Sequence, residues 1–163
     1  MKVFFSIVTL AIFIFSCSNK NSGSKKLDTA WLDSIIKNSD STYSKPYFRT
    51  DFVTATYYVN KKDSTVCQVM KDSAQTVRQI IIVKNNIRTF FASYFDNGQL
   101  QSDVKLDATG LYHGTLTNYY KNGTIENTGD YVHGLKTGAF KNYDSTGKLV
   151  STDNYNKSGE LIK

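Results

Sequence analysis

From residue 47 onward the chain alternates short runs of β-branched and aromatic residues with short polar gaps. The runs F-V-T-A-T-Y-Y-V (52–59), T-V-C-Q-V-M (65–70), V-R-Q-I-I-I-V (77–83) and I-R-T-F-F-A-S-Y-F (87–95) are followed in turn by N-K-K-D, K-D-S-A, K-N-N and D-N-G. Runs of that composition predict strands, and the gaps hold turn formers. Turn signals centre near residues 61, 73, 85, 97, 110, 122, 135, 146 and 158, an interval close to twelve. One strand plus one tight turn fills that interval, so the pattern predicts a mainly β fold, an antiparallel hairpin-repeat meander in an extended sheet. Upstream, L-D-T-A-W-L-D-S-I-I-K-N (27–38) sets Leu27, Trp31 and Ile35 near one stripe, with Leu32 and Ile36 at its edge. That spacing predicts one short amphipathic N-terminal helix. Asp28 early and Lys37 late suit the helix dipole, the polar stretch 38–45 ends the helix, and Pro46 blocks re-entry. Residues 27–46 are therefore expected to be helix and linker, and 47–163 the β-meander domain.

The second half repeats itself. S-Y-F-D-N-G (93–98), N-Y-Y-K-N-G (118–123) and N-Y-D-S-T-G (142–147) are three versions of one phrase. Residues 114–131 align without gaps onto 138–155, a shift of 24 that matches Leu116 to Phe140, Tyr119 to Tyr143, Gly123 to Gly147, Ile125 to Leu149 and Tyr131 to Tyr155. One copy earlier, Phe91, Tyr94, Gly98, Leu100 and Leu106 match at a shift of 25, which implies one inserted residue before Gly110. Each unit is thus a β-hairpin, and hairpins this small must stack or bury a face to be stable. Asn97-Gly98 and Asn122-Gly123 suit a type I′ turn, Asn85-Asn86 suits it less well, and Ser145-Thr146-Gly147 fits a three-residue loop with Gly in the left-handed region. Leu116 and Tyr119, three apart, fall on opposite faces unless a bulge shifts the register.

The phrases Y-F-D-N-G-Q-L, Y-Y-K-N-G-T-I and Y-D-S-T-G-K-L, with linkers L-Y-H-G and L-K-T-G, resemble MORN-variant repeats, the short Tyr-Tyr-x-Asn-Gly units of bacterial envelope proteins and of the YwqK-like family described as antitoxins. The resemblance covers about residues 90–163, and Ser-Thr replaces Lys-Asn before Gly147 in the third copy. It implies an extended antiparallel meander in which Asn97, Gly98, Gly114, Asn122, Gly123, Gly138 and Gly147 are structural turn residues. Residues 47–90 keep the interval and lose the phrase, as degenerate repeats or as a distinct β segment.

Composition narrows the class. The chain has 163 residues, 40% hydrophobic and 13% aromatic, enough for one folded domain. Twenty basic against 14 acidic residues give +6, which permits an anionic partner without demonstrating one. The first residues bear on location. After Met1-Lys2, V-F-F-S-I-V-T-L-A-I-F-I-F (3–15) would form a helix of about 20 Å, short of a ~30 Å hydrocarbon core, as in a signal peptide. The ending I-F-S-C (14–17) resembles the lipobox of bacterial lipoproteins, with Phe15 where a small or aliphatic residue is usual. That resemblance implies a signal peptide at 1–16, lipidation of Cys17, a flexible tether at 17–26 and anchorage in the cell envelope. An outer-membrane position facing the periplasm or the surface is expected. An ordinary secretory signal ending at a structural Cys is the alternative.

Candidate chemistry is sparse. His113 and His133, the only histidines, each precede a Gly and stand in register with Thr137 and Thr109 of the neighbouring copies. Without H-x-x-x-H or C-x-x-C they read as turn residues, so no metal and no cofactor is expected. Asp96, Asp103 and Asp107 read as solvated turn acids, and Cys67 as a small packed hydrophobe in a strand. No G-x-S-x-G, phosphate-binding loop or dinucleotide fingerprint is present, and no catalytic residues are expected. Tyr94, Tyr119, Tyr120, Tyr131, Tyr143 and Tyr155 suit cross-strand packing, and can at the same time form a binding ladder for glycan, peptide or protein. The expected function is a lipid-anchored, non-enzymatic interaction or structural scaffold. The alternative is an antitoxin-like or immunity protein that sequesters a toxin, and an envelope enzyme using residues 47–90 ranks third. Expected partners are a membrane, through the lipid, and an unidentified protein. Export argues against nucleic acid, and an exposed last strand at 160–162 leaves self-association open.

Overall fold

A computed structural model describes residues 29–47 and 52–162. Helix α1 (Thr29–Lys37) leads into eleven strands: β1 (Ser41–Pro46), β2 (Thr54–Asn60), β3 (Thr65–Lys71), β4 (Val77–Lys84), β5 (Ile87–Tyr94), β6 (Leu100–Lys105), β7 (Gly114–Tyr119), β8 (Ile125–Val132), β9 (Leu135–Tyr143), β10 (Leu149–Tyr155) and β11 (Leu161–Ile162). They form one sheet in sequence order, each strand antiparallel to the next. The meander expected from the twelve-residue interval is the fold. The signal segment, Cys17, the tether, Leu27 and Asp28 lie outside the described residues. Among the described residues, no helix is long and apolar enough to cross a membrane.

Strand alternation gives the sheet an α1 face and an open face. On the α1 face, Cys67 pairs with Tyr58 and Ile82, Ile82 with Phe90, and Ile80 with Val69 and Ala92. The helix lays Trp31, Leu32, Ile35 and Ile36, the stripe visible in the sequence, onto these rows. The Trp31 ring meets Phe90 edge-on, with centroids 5.3 Å apart. On the open face Ala55, Met70 and Ile81 are buried beneath Tyr47, Phe52, Tyr57, Val83 and Phe91. Residues 47–90 therefore form the covered part of the same sheet that carries the repeats. The segment 41–46, expected to be linker, is instead edge strand β1. It pairs with β2 from Thr54 to Val59, stacks Tyr43 on Tyr57 at 4.8 Å, and accommodates Pro46 at its end, where a missing N–H costs least.

The repeat turns differ from the expected type. At Asn97-Gly98 and Asn122-Gly123 only the glycines have positive φ, +78° and +86°. Phe95 accepts from the Gly98 N–H at 3.0 Å and donates to Gln99 at 2.8 Å. Tyr120, Gly123 and Thr124 repeat the arrangement, as do Asp144, Gly147 and Lys148. All three are the loop expected for 145–147 alone. The asparagines explain the difference. Each Oδ1 accepts from the amide two residues on, Gln99 or Thr124, and each Nδ2 reaches the next repeat turn. Asn97 donates to the Lys121 carbonyl at 3.1 Å, and Asn122 to the Ser145 carbonyl at 2.8 Å. Positive φ at both central residues, the I′ signature, occurs at Asn85-Asn86 (51°, 63°) and His133-Gly134 (49°, 79°).

Each repeat also carries a bulge after its glycine turn. The register passes from Ser93↔Ser102 to Tyr94↔Leu100, from Asn118↔Asn127 to Tyr119↔Ile125, and from Asn142↔Ser151 to Tyr143↔Leu149. Gln101, Glu126 and Val150 are the extra residues. Because the bulge lies on the partner strand, Leu116 and Tyr119 keep opposite faces, and both faces are partly covered. On the other rim, an aliphatic residue after one turn lies against the glycine of the next turn along. A methyl added to Gly110 would lie 4.0 Å from Ile87 Cγ2, one on Gly134 would lie 3.7 Å from Leu111 Cβ, and one on Gly159 would lie 3.4 Å from Leu135 Cβ.

Two outcomes test this architecture. The Phe140 ring covers Gly129 so closely that an added Cβ would fall 2.5 Å from its Cγ. Gly129→Ala should therefore destabilise the chain by about 1–3 kcal/mol in urea unfolding, and an unchanged midpoint would contradict the packing. Asp144 Oδ1 accepts from the Thr146 hydroxyl at 2.6 Å, the Thr146 amide at 2.9 Å and the Lys148 amide at 3.0 Å. These bonds, the hydroxyl first, hold its carboxyl below the usual range. A lowered folded pKa stabilises the fold above the unfolded value and loses that effect as pH falls through the folded one. The melting advantage of wild type over Asp144→Asn should be flat from about pH 5 to 8 and shrink below about pH 4. An equal advantage at low pH would rule this out.

Candidate functional site

The tyrosine ladder divides between the two faces. Register and alternation place Tyr94, Tyr119 and Tyr143 on the α1 face, and Tyr131 and Tyr155 on the open face. Tyr94 and Tyr119, 5% and 9% exposed, belong to the core that α1 covers. Tyr143 is half-buried, and its carbonyl accepts from the Tyr120 hydroxyl at 2.9 Å, joining adjacent repeats. The phrase tyrosines thus hold the sheet together, and the half-buried Tyr131 and Tyr155 remain at the open face.

Those two flank Phe140. Tyr112, Tyr131, Phe140 and Tyr155 form a chain of edge-to-face contacts with centroids 5.5, 5.4 and 5.1 Å apart. One glycine gives the row room: Gly129 lies beneath Phe140, and an added Cβ there would fall 2.5 Å from the ring. A ring covering a cross-strand glycine recovers contacts that the glycine lacks. Gly114 and Gly138, expected at turns, stand instead within β7 and β9, opposite Tyr131 and Tyr155, and the space beside each is open. Lys136 Nζ sits 4.8 Å from the Phe140 centroid and 4.9 Å from that of Tyr155, and donates to the Tyr155 hydroxyl at 3.3 Å. The cation lies against two ring faces, where the quadrupole attracts it.

A polar row runs beside the rings. Along Ser93, Ser102, Asn118, Asn127, Asn142 and Ser151 the register brings one small hydroxyl or amide side chain per strand to the open face, from β5 to β10. Ser93 and Ser102 hydroxyls are 2.9 Å apart, and Asn118 Nδ2 donates to Asn127 Oδ1 at 2.7 Å. Asn142 Nδ2 donates to Ser151 Oγ at 3.0 Å and to Asp153 Oδ2 at 3.2 Å. Asparagine has more donor and acceptor capacity than one such bond uses, so the row can take further hydrogen bonds. Asn97, Asn122, Gly98, Gly123 and Gly147 serve the turns. None of the individual signals in the sequence marks the polar row, which appears only once the bulged register is known.

The groups expected to be inert have defined settings. Cys67 is fully buried, and burial pushes its thiol up to about 11. Asp96 pairs with Lys121 at 2.6 Å, and this contact, first among its causes, lowers the Asp96 carboxyl. Asp107 is held well below the carboxylate range, first by the Thr109 hydroxyl at 2.6 Å, and it also contacts His133. The fold brings His113 and His133 together, with ring centroids 5.3 Å apart.

Comparison with known proteins matches this repeat half. Residues 112–133 and 136–157 each match the model of the MORN repeat variant. The two windows cover the β7–β8 and β9–β10 hairpins, and the copy that begins near residue 91 lies outside them. No curated protein matches the chain. Among solved structures, a TarM mutant of S. aureus in complex with Fondaparinux, alpha-GlcNAc-glycerol and UDP is similar at a TM-score of 0.38 and 12% identity, over 69% of this chain and 24% of that one. So low a likeness carries no argument about fold or activity, and the chain spans about a quarter of that protein's length. Two adjacent hairpins similar to the MORN repeat variant make this a repeat protein, of a kind suited to binding or scaffolding.

Proposed function

We propose that this is a lipid-anchored repeat protein of the bacterial envelope that acts as a non-enzymatic interaction or scaffolding module, with the open face as its contact surface. The observation that carries this reading is the polar row from β5 to β10 lying beside the rings of Tyr131, Phe140 and Tyr155. Amides and hydroxyls supply directional bonds, and ring edges and faces supply apolar contact area, a combination common at recognition surfaces. The buried Cys67 thiol, raised to about 11, supports a packing role over a nucleophilic one. The anchor rests on I-F-S-C and on the apolar run before it. Two or three acyl chains on one Cys would hold the protein durably, because each buried methylene contributes about 0.8 kcal/mol.

Two experiments test the two parts. Growth with an alkynyl fatty acid should label the wild type and leave Cys17→Ala unlabelled; label on both, or on neither, would remove the anchor. A photo-crosslinking amino acid placed at Asn127 on the open face should give discrete adducts in intact envelopes, whereas the same group at Lys141 on the α1 face should not. Equal adducts from both positions would refute the assignment of the face. An adduct with a toxin would turn the module into the immunity protein raised by the family resemblance.

A further inference from the structure

We propose that Asp107, His113 and His133 form a binding site for a divalent transition-metal ion on the rim of the sheet. One ligand atom from each lies within 4.8 Å of the other two. His133 Nδ1 is 2.7 Å from Asp107 Oδ2, and the two imidazoles incline at 54°. Two imidazoles and one carboxylate are a ligand set that zinc, copper and nickel accept, whereas calcium and magnesium prefer oxygen alone. In a tetrahedral site with bonds of about 2.0–2.1 Å, ligand atoms stand about 3.3 Å apart. An ion would take the place of the shared proton, open the His133–Asp107 contact by about 0.6 Å, and draw His113 inward. The His133 side chain, 67% exposed, has room to move, and a fourth position stays open to water.

The surroundings hold the ligands in place. Asp107 Oδ1 is occupied by the Thr109 amide at 2.8 Å, the Thr109 hydroxyl at 2.6 Å and the Leu111 amide at 3.1 Å. Its other oxygen is thereby aimed at His133, as orienting contacts around metal ligands commonly do. The Leu106↔Tyr112 bridge closes the connection that carries Asp107 and His113. The Gly134 amide donates to the Tyr112 carbonyl at 2.9 Å, which holds the His133 turn against that connection.

The repeat itself does not require the imidazoles. Thr137 and Thr109 occupy the positions in register with His113 and His133, so both histidines are additions to a frame that folds without them elsewhere in the same chain. They stand beside a short junction inside the sheet, where β6 and β7 register through Ser102↔Asn118 and Asp103↔Thr117. A bound ion would tie the β6–β7 connection to the β8–β9 turn across that junction and stabilise the fold by mass action.

The test is titration of the untagged full chain, in detergent and stripped of metal, with zinc chloride. Calorimetry should show one ion per chain, the melting temperature should rise with zinc, and cobalt substitution should give visible absorption bands. His133→Asn keeps a residue tolerant of positive φ, and His113→Thr installs the residue of the neighbouring repeat. Each should weaken zinc binding at least about tenfold and abolish the melting shift. Unchanged zinc affinity in His113→Thr, or absence of binding by the correctly folded wild type with zinc, nickel and copper alike, would overturn the proposal.

Discussion

Apolar side chains on a sheet made only of successive neighbours have no second sheet to pack against. Two kinds of cover meet that constraint here, one for each half of the chain. Over β2–β5 the cover comes from outside the sheet: α1 lies on one face, and Tyr47 and Phe52 fold onto the other. Over β7–β10 the open face is covered from within the sheet, where Tyr131, Phe140 and Tyr155 meet edge-on across neighbouring strands and Phe140 lies on Gly129. Ring contacts between neighbouring strands are local, so they extend along the sheet as units are added, Tyr131 recurring as Tyr155 at a shift of 24.

The same locality explains the turns. Only glycine adopts their left-handed position without strain, and the asparagine before it closes its own loop with one end and reaches the next repeat with the other. On the opposite rim, Ile87, Leu111 and Leu135 lie against glycines of the following turns. Stacking therefore acts between adjacent units, as in other repeat architectures. The centre of the sheet is left free to present the open face.

Much of this was legible in the sequence. Strands β2–β5 follow from β-branched runs and turn formers, and the helix stripe of Trp31, Leu32, Ile35 and Ile36 names its own buried side. Strand β1 was not legible, because S-T-Y-S-K-P lacks alternation and contains proline, and what makes it a strand is the exposed edge of β2. The Asn-Gly dipeptides misled about turn type because the asparagine side chains bond outside the dipeptide, Asn97 to Gln99 and Lys121 and Asn122 to Thr124 and Ser145. The polar row depends on bulges at Gln101, Glu126 and Val150, each a single residue that moves everything after it. The Asp107–His133 contact spans 26 residues and exists only because two turns share a rim.

If an external helix covers one half and the repeats cover themselves, the stability of the sheet is graded along it. Residue-resolved amide hydrogen exchange on the full chain measures that gradient most directly, because protection reports local opening. The account requires the slowest exchange around Cys67, Ile80 and Ala92 in β3–β5, with protection declining through β7–β9 to β10 and β11. Uniform protection across the sheet, or slowest exchange in β9 and β10, would contradict it.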